Sequence, residues 1–160
     1  MLKSVLPELK KILLAAFTIA TITVNYSFNK KTADEDWLSW TNKCLSQVYD
    51  PSGDLLLKKW ELLVTKSAFI RLRKTYAKSR QEYYSFNLHQ FNDLDYIGTT
   101  RSGTLQLKTI ADDIIVQTRN DRKGDVDSMT TVLNIPVKNM EPERLDSLRE
   151  ALNYFKTKEL

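Results

Sequence analysis

The chain holds one cysteine, one histidine, four glycines and four prolines in 160 residues. One cysteine makes no disulfide within the chain and no Cys-rich zinc site. One histidine, His89, excludes a two-histidine metal centre from a single chain, and no G-x-S-x-G elbow stands near it to suggest a serine nucleophile. The scarcity of glycine and proline rules out collagen-like and low-complexity chains. P-loop, dinucleotide and H-E-x-x-H motifs are also missing, so the commonest enzyme classes lack their residues here, and neither cofactor nor metal is expected.

What is present is 42% hydrophobic and 28% charged residues, enough apolar content for one globular domain with a real core. The formal charge of +4 is unevenly placed. Lys3, Lys10, Lys11, Lys30 and Lys31 stand against Glu8 alone, so residues 1-33 carry the whole excess and residues 34-160 sum to zero. These lysines bracket an apolar run from Ile12 to Val24, in which Ile12, Leu13, Leu14, Phe17, Ile19, Ile22 and Val24 are the candidate membrane-contacting residues. Cations flanking an apolar stretch are the pattern of an export signal or a signal anchor. At about 13 residues the run is short for a spanning helix, which wants about 20. The alternative is an ordinary helix or strand of a cytosolic domain. If the run spans, the lysines before it and Asp34, Glu35 and Asp36 after it place the globular part on the non-cytoplasmic side.

Beyond residue 33 the chain reads as one α+β domain, 34-160. Acids at 34-36 followed by Trp37, Leu38, Leu45 and Val48 predict an amphipathic helix, stopped by Asp50-Pro51-Ser52-Gly53. Leu55-Leu56-Leu57 and Trp60 to Val64 suit a strand or a helix. Ala68 to Arg73 alternates apolar with basic, as a strand with one wet face does. Further short strands are expected at 82-88, 95-98, 104-108, 114-118 and about 130-137. With no helices between them, these strands predict an antiparallel meander or partial barrel. Pro142 in a first turn and Leu145, Leu148, Leu152 and Phe155 at helical steps close the chain with an amphipathic helix.

The strongest local charge lies at 58-80, where eight Lys and Arg residues face Glu61 alone, with Trp60, Phe69 and Tyr76 interleaved. Such a stretch can bind phosphates or stack bases. The order of elements, a meander closed by a C-terminal helix, resembles the pleckstrin-homology-like architecture over roughly residues 55-157. That resemblance implies a basic first hairpin engaging phosphoinositide headgroups, with Lys66, Arg71 and Arg73 as candidates and Lys74 beside them. The plainer reading is a solvated sheet face with Ile70 and Leu72 turned inward. Asp112-Asp113 and the aspartates of 121-127 read as turn residues, since Arg122 and Lys123 stand where a calcium loop needs ligands. Cys44 reads as a small apolar helix residue.

The favoured expectation is therefore a non-enzymatic binding or assembly module, attached to a membrane through residues 1-33 or exported across it, with a protein partner. One alternative is a small enzyme with a pocket in the sheet built from residues such as Tyr83, His89 and Asp95. Another is a cytosolic phosphate, lipid or nucleic-acid binder using residues 58-80. The leader predicts that cell fractionation recovers the chain with membranes, or with a mature N-terminus near residue 28; a soluble cytosolic protein retaining Met1 defeats the membrane expectation.

Overall fold

The computed structural model describes residues 34-158. The apolar run proposed as signal or anchor lies outside them. Among the described residues no helix is long and apolar enough to cross a membrane.

Helix α1 covers residues 34-48. Thr41, Cys44, Leu45 and Val48 recur at helical steps and all four are buried, as an amphipathic face requires. Asp50 ends the segment by accepting the Ser52 N–H at 3.0 Å, and Pro51–Gly53 makes one 3-10 turn. Of the leucine triplet that follows, only Leu57 belongs to a strand. Leu57 N–H bonds the Asp54 carbonyl at 2.9 Å, and the resulting turn leaves Leu55 94% and Leu56 68% exposed.

Eight strands follow: β1 (Leu57–Val64), β2 (Phe69–Tyr76), β3 (Gln81–Asn87), β4 (Phe91–Gly98), β5 (Ser102–Thr109), β6 (Ile114–Arg119), β7 (Asp127–Thr130) and β8 (Val132–Lys138). They form two antiparallel sheets, β1-β2-β3-β6-β7 and β4-β5-β8. The architecture is thus α+β as expected, but it is not one continuous meander. A 3-10 turn at Leu88–Gln90 carries the chain from the first sheet to the second, β6 returns to pair with β3, and β8 crosses back to β5. The expected last strand at 130-137 is β8, which starts at Val132, while β7, ending at Thr130 and paired with β6 in the first sheet, is a further strand that the sequence did not predict. Alternation along a strand reports which face is wet, not which strand is the neighbour.

The turn between β4 and β5 needs glycine. Gly98 has φ +148°, and a Cβ there would run into the backbone of Ser102 and Gly103.

The buried core draws on the inner face of each sheet. Leu62, Ile70, Leu72 and Phe86 come from the first; Leu94, Leu105, Leu107, Leu133 and Ile135 from the second. Helix α2 (Pro142–Thr157) begins with proline in its first turn, and its cap residue Glu141 makes no side-chain capping bond. It buries Leu148, Ala151, Leu152 and Phe155, with Ala151 joining the expected stripe and Leu145 only half-buried. This helix packs on the 88-90 turn and on β4.

Helix α1 and the segment after it close two sheet edges. The Asn42 side-chain amide donates to the Val64 carbonyl at 3.0 Å and accepts the Val64 N–H at 2.7 Å. Tyr49 bridges Val137 of β8, and Asp50 N–H donates to the Pro136 carbonyl at 2.9 Å. Replacing Asn42 with Ala leaves both Val64 groups without their side-chain partner. The expected cost is about 1–3 kcal/mol, seen as a lower denaturation midpoint with an unchanged m-value.

Candidate functional site

Strand alternation divides the basic residues of 58-80 instead of gathering them. In the register of β1, β2 and β3, Trp60, Leu62 and Val64 lie opposite Lys74, Leu72 and Ile70, and these in turn opposite Glu82, Tyr84 and Phe86. That set faces inward. Arg71 and Arg73 therefore stand on the outer face, while Lys74 stands on the inner one. Lys66 sits apart from all three, exposed in the turn between β1 and β2. Of the aromatics interleaved with them, Tyr76 is buried, and Trp60, half-buried, packs against the Tyr49 ring at 4.5 Å.

The inner basic residues are held in a polar network. Lys74 pairs with Asp54 at 2.7 Å. Glu82 accepts the Tyr76 hydroxyl at 2.9 Å and the Tyr84 hydroxyl at 3.4 Å, and its other oxygen binds Arg80. Arg80 also donates to Asp121 at 2.7 Å and lies over the Tyr76 ring at 4.6 Å. Each charge thus has an opposite charge beside it, which is the condition on which charges are tolerated at partial burial. Burial and then the nearby Glu82 push the Tyr84 hydroxyl up to about 12. Burial raises Tyr49 and Tyr76 further, with carboxylates of this network adding to it.

The outer face carries an open depression of about 420 Å³ lined by Arg73, Gln81, Tyr83, Gln117 and Arg119. Register explains the gathering: Arg73 lies opposite Tyr83 and Tyr83 opposite Gln117, with Gln81 opposite Arg119 one pair along. The Arg73 guanidinium stands 5.8 Å from the Tyr83 ring centre. A second hollow of about 230 Å³ runs on past Gln81 and Arg73 to Thr75, Lys59 and Glu61. Beside them Ile115 and Met129 pair across β6 and β7, both exposed. Among the described residues Lys59, Arg71, Arg73 and Arg119 form no ion pair.

Of the ligand-binding candidates Lys66, Arg71, Arg73 and Lys74, Arg73 lines this depression, beside Tyr83, which the sequence offered for the enzyme alternative. Its companions Arg119 and Tyr83 come from strands outside the basic stretch. Their common feature in sequence is alternate spacing on amphipathic strands, which says nothing of the order β2-β3-β6.

The residues considered for catalysis do not converge. Tyr83 is on the outer face of the first sheet. Asp95 is on the second sheet, bonded to Lys108, which holds its carboxyl below the usual range. His89 sits in the 88-90 turn, its Nε2 buried with no hydrogen-bond partner among the described residues. Burial pushes the Cys44 thiol up, away from the reactive thiolate. Among the described residues no three His, Cys, Asp or Glu side chains are grouped as a metal ion requires.

The raised tyrosines set a pH dependence. Above pH 10 the unfolded chain releases phenolic protons that the folded chain retains, so this contribution to stability is full below pH 10 and is lost as pH rises through about 12. A tyrosinate absorbance titration should show Tyr49, Tyr76 and Tyr84 ionising late and together with alkaline unfolding. Their ionisation near pH 10 in a chain that stays folded contradicts the inner network. No family model, curated protein or solved structure matches this chain.

Proposed function

We propose that the protein is a non-enzymatic binding or assembly module, held at a membrane or delivered across it by residues 1-33. Its contact face is the outer side of β1-β2-β3-β6-β7, and its partner is a protein with an acidic surface. The observation that carries this reading is the depression lined by Arg73, Tyr83 and Arg119, where neither arginine has an ion-pair partner among the described residues and Arg73 stands over the Tyr83 ring. Arginine and tyrosine supply directional hydrogen bonds and large contact area at small entropic cost, which is why they dominate binding hot spots. The exposed Ile115 and Met129 beside them extend the face with apolar area. A binding role is further supported by the separation of Tyr83, His89 and Asp95, which leaves no assembled acid–base pair.

The pleckstrin-homology-like order contributes only the succession of strands and closing helix. Its first-hairpin candidates are split here between a turn, an outer face and an inner network.

A photo-crosslinker at Tyr83 in the full chain should capture a partner in a salt-sensitive way. Arg73→Glu with Arg119→Glu should weaken that capture about tenfold or more, as expected for losing charge-assisted hydrogen bonds. The reading fails if a crosslinker at Gln106, on the second sheet, captures the same species equally well, or if capture at Tyr83 ignores both the salt and the charge reversals.

A further inference from the structure

Three turns meet at one end of the five-stranded sheet, and hydrogen bonds join them. Ala77 N–H donates to the Leu56 carbonyl at 2.9 Å, tying the turn before β1 to the turn between β2 and β3. The Asn120 side-chain amide donates to the Ser79 carbonyl at 3.0 Å, and Arg80 bonds Asp121 at 2.7 Å, tying that turn to the loop between β6 and β7. Lys78, Ser79 and Asn120 all hold positive φ, near +60°. Such backbone costs free energy and persists where surrounding bonds over-determine it.

The joined turns surround an open depression of about 580 Å³. Leu56 and Ala77 give it apolar lining; Lys78, Arg122 and Lys123 give it charge. The one acid in the lining, Asp121, is already bonded to Arg80. Lys78, Arg122 and Lys123 are exposed and form no ion pair among the described residues. Next to Leu56 stands Leu55, the most exposed large apolar side chain among the described residues. Single exposed leucines are ordinary, but two adjacent ones on a turn fastened to its neighbours and ringed by cations form an amphiphilic tip.

We propose that this end of the sheet docks onto an anionic bilayer. Leu55 and Leu56 enter the boundary between headgroups and acyl chains, and Lys78, Arg122 and Lys123 lie against lipid phosphates. Charge complementarity selects the occupant. Lys78, Arg122 and Lys123 outnumber the single acid of the lining, Asp121, which is bonded to Arg80, and the exposed Leu55 and Leu56 beside them gain by leaving water for hydrocarbon, which a soluble anion does not reward. The surface is distinct from the outer-face depression and does not depend on residues 1-33.

The test uses the full chain labelled with an environment-sensitive fluorophore at Leu56→Cys, Cys44 being buried, with the same label at Lys66→Cys as a control. Vesicles of phosphatidylcholine, with or without phosphatidylserine, carry a quencher near the headgroups. The expected result is a blue shift and quenching at position 56 that require phosphatidylserine, while position 66 stays water-exposed. Arg122→Glu with Lys123→Glu should raise the half-saturating lipid concentration at least tenfold, since each surface cation contributes about fivefold. A label at Ser79→Cys gives a second readout, whose quenching should fall about tenfold in Leu55→Ser with Leu56→Ser. Because the probes report local depth, attachment through residues 1-33 does not mimic the result. The proposal is overturned if positions 56 and 66 respond alike, if quenching ignores phosphatidylserine, or if inositol hexakisphosphate without vesicles produces the full blue shift.

Discussion

An edge strand exposes a row of backbone N–H and C=O groups, and leaving them open invites pairing with another chain. Two of the four edges here are covered by one stretch of chain, residues 42-50. The Asn42 amide matches both polar groups of Val64 at the end of β1, and the backbone at Tyr49 and Asp50 adds to β8. An asparagine side chain does this well because it carries a donor and an acceptor at the spacing of a peptide group. The same stretch buries Cys44, Leu45, Val48 and Tyr49. The two sheets are covered where residues 42-50 reach, and among the described residues the outer face of the larger sheet is open around Arg73, Tyr83 and Arg119.

The inner polar network explains why so basic a stretch does not make one basic surface. Lys74 and Arg80 are neutralised by Asp54, Glu82 and Asp121, which come from three separate segments. Paired and hydrogen-bonded charges at partial burial cost about as much to desolvate as their attraction returns, so such a network adds specificity of arrangement more than net stability. Its structural consequence is to fasten the turns at one end of the first sheet. Among the cations that form no ion pair, Arg73 and Arg119 gather on the outer face beside Tyr83, and Lys78, Arg122 and Lys123 gather around the exposed leucine turn.

Much of the fold was legible because burial follows period. The strands at 68-73, 82-88, 104-108 and 114-118 and the helix after Pro142 all lie where alternation or helical spacing predicts them. The failures share one cause. Leu55 and Leu56 read as part of a strand or a helix because apolar residues usually seek the core, yet the Asp54 carbonyl captures Leu57 N–H and turns them outward. Strand β7 was missed because nothing local separates Asp127–Thr130 from the polar residues before it. Of the candidate site, Tyr83 was legible only as a residue of the enzyme alternative, and Arg73 as a binding residue. Arg119 and Tyr83 join it through strand neighbours separated by tens of residues, while Arg122 and Lys123 were visible in sequence only as residues unsuited to calcium.

By itself the sequence determined the classes of site that are missing, the placing of net charge in residues 1-33, and the inward and outward faces of each strand. These are properties of residue type and of spacing over a few positions, where side-chain chemistry and backbone period decide the outcome. Tertiary structure alone decided that β6 lies beside β3, that Lys74 is spent on Asp54, and that three turns join around two exposed leucines. Pairing of distant segments depends on which edges are already covered and which charges are already matched, and neither is written in any local stretch of the chain.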